Sequence, residues 1–149
     1  MRTFLCLAAI AAVIPACASQ GTNSGPIAVP TTPRHVTALS NGQDIFQTGK
    51  DAYGTQIVAQ RKPLKSSCAA CHRPNGMGGI QFPNGPMSAD LRHKSLVIDQ
   101  KPPYTLALVE RAISKGIDNQ GKPLDPVMPR WKLSKRDLND VASYVLTLK

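Results

Sequence analysis

The chain opens on an apolar run, Phe4 to Ile14, preceded by the positive Arg2. A run of that length is too short to span a bilayer and has the form of a secretory leader. Apolar positions then recur at helical spacing in three places. Ile45 and Phe46 follow Asn41, which predicts a short first helix capped by Asn41 and ended by Gly49. Leu106, Val109 and Ile113 share a face between a capping Thr105 and a stopping Gly116, which predicts a second helix over about 105–115. Leu138, Val141, Val145 and Leu148 make one stripe behind Ser134 and Asp137, a capping pattern that predicts a last helix.

The intervening stretches lack such a period. Lys50 to Ser67 carries only Ile57-Val58 as a strong apolar pair and is punctuated by Tyr53-Gly54 and Lys62-Pro63, so an extended loop with a small hairpin is expected. Pro74 to Gly79 and Pro83 to Pro86 are too rich in Gly and Pro for regular structure and should wrap around something. A further loop runs from Ile117 to Leu133. No alternating pattern is long enough to argue for a sheet, and no internal repeat is present. The expectation is an all-α domain of short helices joined by long loops.

Composition sharpens this picture. Hydrophobic residues make up 42% of the 149-residue chain but aromatics only 5%, so a compact core would be short of large rings unless a bound macrocycle filled it. Between the leader and the first helix, Ser19 to Ser40 is rich in Ser, Thr, Gly, Asn and Pro and reads as a flexible tether. The organisation expected is a signal peptide over 1–18 (or 1–16 if cleavage precedes Cys17), a tether over 19–40 and a folded domain over 41–149. Ala16-Cys17-Ala18 fits ordinary signal peptidase, whereas Ile14-Pro15-Ala16-Cys17 resembles a bacterial lipobox with an unusual proline. Lipidation of Cys17 would explain a thiol that has no partner once Cys6 leaves with the leader and Cys68 pairs with Cys71.

Eighteen Lys and Arg face nine Asp and Glu. Such a basic chain is steered toward acidic proteins or anionic membrane surfaces; export argues against nucleic acid as a partner.

The strongest chemical signal is Cys68-Ala69-Ala70-Cys71-His72. Two thiols on one turn can add to the two vinyl groups of a haem, which brings the adjacent imidazole beneath the iron. A zinc site would need a second Cys or His pair, and none follows. A redox dithiol would want a βαβ setting, and none is visible. A second iron ligand has four candidates: Met77, Met87, Met128 and His93. Met77 is too near the motif to reach around the ring. Met128 is far along the chain, and Pro126 and Pro129 favour an extended loop over helical packing.

Cys68 to His72, the Leu124 to Trp131 loop around Met128, and the Leu138 to Leu148 helix together resemble a class I, bacterial-type cytochrome c domain over about Asn41 to Lys149. The resemblance implies a cytochrome c-like fold of three to five short helices around one covalent haem c. Cys68 and Cys71 would carry the thioethers, His72 would be the proximal ligand and Met128 the distal one. It also implies that Gly42 and Phe46 lie where the first helix crosses the last, near Tyr144, and that a carbonyl of Pro83 or Pro86 accepts the Nδ1 proton of His72. Trp131 is given no chemical role. Arg130 and Lys132 are candidates to neutralise haem propionates or to face solvent, and the segment between Phe46 and Cys68 is longer than is typical of the family.

The function implied is one-electron transfer between exported, periplasmic redox partners, not catalysis. A monomeric domain is expected, meeting an acidic face of a dehydrogenase, reductase or oxidase. The alternative is a haem gas sensor or peroxidase-like enzyme with an open sixth iron position.

Overall fold

The computed structural model describes residues 36–149. The leader, Cys17 and nearly all of the tether lie outside the described residues. Helix α1 spans Ala38–Thr48, α2 Ala69–His72, α3 Leu106–Lys115 and α4 Lys135–Val145; a π-helical turn covers Lys94–Ile98. Strands β1 (Val58–Ala59) and β2 (Trp131–Lys132) form a two-residue antiparallel ladder.

The helix ends follow local chemistry. Thr105 and Ser134 cap α3 and α4 by accepting from the backbone N–H three residues on, at 3.4 and 3.1 Å. Gly49 and Gly116 close α1 and α3 in the left-handed conformation. The start of α1 corrects the expectation. Its cap is Thr37, whose Oγ1 accepts from Ser40 N at 3.1 Å while Ser40 Oγ accepts from Thr37 N at 3.0 Å. This reciprocal pair satisfies two helix-end donors at once, which a cap at Asn41 would not.

Asn41 instead sits inside α1, almost fully buried. Its Nδ2 donates to Asp137 and Asp140 of α4 at 2.9 and 2.8 Å, and its Oδ1 accepts from Ala52 N at 2.8 Å. A buried amide is tolerated here because its hydrogen-bonding groups are matched. The same bonds tie α1 to α4 and to the chain that follows α1.

The α1–α4 crossing is the principal helix contact. Ile45 and Phe46 from α1 are completely buried against Val141, Ala142 and Val145 from α4, and the Phe46 and Tyr144 rings meet at 5.6 Å. Gly42 lets the helices approach: a Cβ there would collide with the Asp140 carbonyl and stand 2.9 Å from Tyr144 Cβ. Gly42→Ala is therefore expected to destabilise the fold by at least ~2 kcal/mol, the range of overpacking in a rigid core. Urea unfolding checks this, and an unchanged midpoint would mean that the crossing yields.

The long segment between α1 and α2 behaves differently from a self-contained hairpin. Lys50 and Gln56 bridge across a tight turn, but the strand itself pairs far downstream, Val58 with Lys132 and Ala59 with Trp131. The π-helical turn and the two-residue sheet escaped the sequence pattern because neither is long enough to impose a period.

Candidate functional site

Cys68 immediately precedes α2, and His72 N donates to Cys68 O at 2.8 Å, so one helical turn gathers both sulfurs and the imidazole. Both cysteines are free. Burial pushes the Cys68 thiol up to about 12, assisted by the neighbouring Cys71, and burial raises Cys71 as well. A redox dithiol needs the opposite, a thiol lowered toward neutrality so that it attacks as thiolate. Among the described residues no group of three or more His, Cys, Asp or Glu gathers to hold a metal ion.

His72 Nδ1 lies 2.8 Å from the carbonyl oxygen of Ala89. A carbonyl only accepts, so Nδ1 carries the proton and Nε2 keeps its lone pair. Burial holds the imidazole below its ordinary pKa, opposed by that carbonyl bond. The ring is therefore a neutral donor with its tautomer fixed, the form an iron requires. The acceptor is Ala89, not Pro83 or Pro86. Phe82 to Pro86 closes a turn of its own, with Phe82 N on Pro86 O and Gly85 N on Phe82 O, and the chain then returns to His72 at Ala89.

The residue after that acceptor is fixed by an ion pair. Arg92 donates to both Asp90 oxygens, Nε to Oδ1 at 3.0 Å and Nη2 to Oδ2 at 2.6 Å. Hydrogen bonding from Arg92 holds the Asp90 carboxyl down at about 2, against an ordinary 3.8. Its pairing thus adds stability above pH ~4 that disappears as pH falls toward 2. Asp90→Asn is expected to lower stability at neutral pH and to flatten the dependence of stability on pH between 4 and 2. Urea midpoints measured across that window check it; parallel curves for the two proteins would assign Asp90 no such role.

Cys68, Cys71, His72 and Met128 all line one cavity of about 360 Å³. Its apolar wall includes Phe46, Val109, Ile113 and Trp131. Met87 also reaches it, although 60% exposed. Met77 and His93 do not. His93 stacks on the end of α4 instead, its N donating to Leu148 O at 2.7 Å and its Nδ1 3.2 Å from Leu146 O.

The guanidinium of Arg130 is taken up by backbone carbonyls rather than left free in solvent. Its Nη2 donates to Leu124 O at 2.6 Å and to Gly116 O at 3.4 Å, and its Nη1 to Asp125 O at 3.0 Å and to Met128 O. One side chain thereby gathers the Leu124, Asp125 and Met128 carbonyls of the loop onto the end of α3. Gly116 is needed for this, since a Cβ there would occupy the guanidinium's place. The far side of the loop is held by β1, and Gln60 N adds a bond to Arg130 O at 2.8 Å. Sequence reasoning missed Ala89, the Asp90–Arg92 pair and this use of Arg130. Only the pair had a local signal, in the spacing of opposite charges.

The donor set suits a haem: two protonated thiols, a tautomer-fixed imidazole and a thioether on the wall of one apolar cavity. A small helical domain closed around such a cavity defines the class as a haem protein. The Cytochrome c family model matches residues 39–149, and the chain belongs to that family. Haem-based electron transfer by a c-type haem follows in general terms. No curated protein and no solved structure matches the chain significantly.

Proposed function

We propose that the chain holds a single haem c through thioethers at Cys68 and Cys71, with His72 as proximal and Met128 as distal ligand, and that it shuttles electrons between exported redox proteins. The observation that carries this reading is the convergence of those four side chains on one apolar cavity, with His72 Nδ1 already engaged by Ala89. Bound haem supplies an iron that changes oxidation state by one electron.

The chain's own residues do the rest. Cys68 and Cys71 would hold the haem by adding their thiols across its vinyl groups with the protons going to carbon, so attachment would need no oxidant. Ala89 keeps His72 in one tautomer and orientation. Met128 offers a soft donor, which together with burial favours the ferrous state and raises the potential. His72 and Met128 together would leave a bound iron no open position for a substrate, so the protein would act as a carrier.

The leader directs the mature protein to the periplasm or an equivalent exported space, and Cys17, if lipidated, tethers it there. The basic surface favours an acidic-faced dehydrogenase, reductase or oxidase, met as a monomer in a small, short-lived interface. Intact mass and optical spectra of the native protein test the reading together. Expected are the mass of one covalent haem, a ferric sulfur-to-iron charge-transfer band and no carbon monoxide binding when reduced. A high-spin ferric spectrum with ready carbon monoxide binding would favour a gas sensor or peroxidase-like enzyme, and colourless protein would end the haem assignment.

A further inference from the structure

The loop that carries Met128 has two faces. Val127, Met128 and Pro129 line the functional cavity, and the same three residues line a second, separate groove of about 390 Å³. The opposite wall of that groove is Gln60 to Leu64, from the segment that is long for the family, with Lys115 at the end of α3. These three residues thus border both spaces.

The groove is built into the fold. Ala59 pairs with Trp131, Gln60 N donates to Arg130 O at 2.8 Å, and Gln60 Nε2 reaches Ser114 O at 3.4 Å. These bonds anchor the wall at Ala59 and Gln60 to both the Met128 loop and α3. Its charge is one-sided: Arg61, Lys62 and Lys115 are exposed on it and no acidic residue lines it. Arg130 keeps its positive charge beside the groove, but its guanidinium donors are taken up by carbonyls rather than offered to an incoming group. Leu64, 69% exposed, adds an apolar lip.

We infer that this groove is the docking site for an acidic segment of the redox partner, and that the electron crosses at the Met128 loop. The inference rests on the proposed electron-carrier function and adds the surface through which it works. A carboxylate-bearing segment answers the three cations, and an apolar side chain on it answers Leu64. A concave slot between two chain segments suits a protein strand or loop better than the flat face of a membrane. Seating the partner there puts it against residues that also border the cavity, and a tunnelling electron needs that proximity. The long 50–67 segment then has a purpose, since without it the groove would lack one wall.

The test compares two holoprotein variants of equal charge change, Arg61→Glu/Lys62→Glu in the groove and Lys50→Glu/Lys149→Glu outside it. The first measurement follows amide shifts of the ferrous protein on adding a decaglutamate peptide containing one leucine. The second is the rate of oxidation of the ferrous protein by hexacyanoferrate(III) at low ionic strength. Wild type should show shifts centred on 60–64, 115 and 126–130. The groove variant should lose them and slow by ~10-fold, whereas the control should keep them and slow by less than ~2-fold. Equal slowing in both variants, or shifts centred elsewhere, overturns the inference. So does binding of phosphatidylglycerol vesicles through the same residues with no response to the peptide. Absence of any oxidation by hexacyanoferrate would fault the carrier function itself, and the peptide shifts would still report the groove.

Discussion

Met128→Ala is expected to convert the ferric protein to a high-spin form, to open the reduced protein to carbon monoxide and to lower the reduction potential by on the order of 0.2 V, a fraction of the ~0.8 V that axial ligation spans in haem proteins. The direction follows from chemistry: a thioether stabilises ferrous iron, and water or hydroxide in its place stabilises ferric. The fold should survive, because Met128 is only partly buried and its loop is held by backbone carbonyls that the substitution leaves in place. Met87→Ala is the matched comparison, since Met87 reaches the same cavity from the segment that also presents Ala89. It should leave spectrum and potential unchanged. Spectroelectrochemical titration of the two variants decides between the sulfurs, and the reverse pattern would move the distal ligand to Met87.

Cys68→Ala/Cys71→Ala is expected to abolish both pigment retention and cooperative folding. At ~24 cal/mol per Å³ of unfilled volume, a cavity of about 360 Å³ corresponds to an upper limit on the order of 9 kcal/mol, reached only where the space is sealed from water. That figure is comparable with the entire stability of an ordinary domain, ~5–15 kcal/mol. Phe46 and Val145 of the α1–α4 crossing also line the cavity, whereas the Asn41 bonds to Asp137 and Asp140 do not touch it, so the expected product is a collapsed chain that keeps part of its helix and loses fixed packing around Trp131. Extraction with acidified organic solvent reports the pigment, and near-ultraviolet circular dichroism during urea unfolding reports the packing. Covalent colour in the double variant, or a cooperative transition with an unshifted midpoint, would contradict the expectation.

What the sequence revealed and what it concealed divide along a physical line. The ends of α3 and α4 were legible because each depends on one side chain and its near neighbours, Thr105 with Gly116 and Ser134 with Asp137. The start of α1 was harder, since Thr37, Ser40 and Asn41 all have capping side chains and only the reciprocal Thr37–Ser40 pair decides among them. Cys68, Cys71 and His72 stood out because their spacing is itself the chemistry. Ala89 could not stand out: it acts through a carbonyl that every residue possesses, and only the path of the chain brings that oxygen to His72. Arg130 was equally opaque, because a cation that folds back on its own loop is spelled like one that meets a propionate. The pairing of Val58-Ala59 with Trp131-Lys132 was hidden by brevity.

The guanidinium of Arg130 has a kinetic corollary. Because a single side chain terminates the carbonyls of Leu124, Asp125 and Met128 and anchors them to Gly116, the segment has no easy route to fray bond by bond. Were Met128 the distal ligand, as proposed, releasing its thioether by movement of the loop would require the cluster to come apart as a unit, exposing its carbonyls and the cation to water in the same event. The methionine should therefore exchange between bound and released states as a two-position switch, with few intermediates, and heat should reveal it as a sharp local transition below the melting of the whole domain.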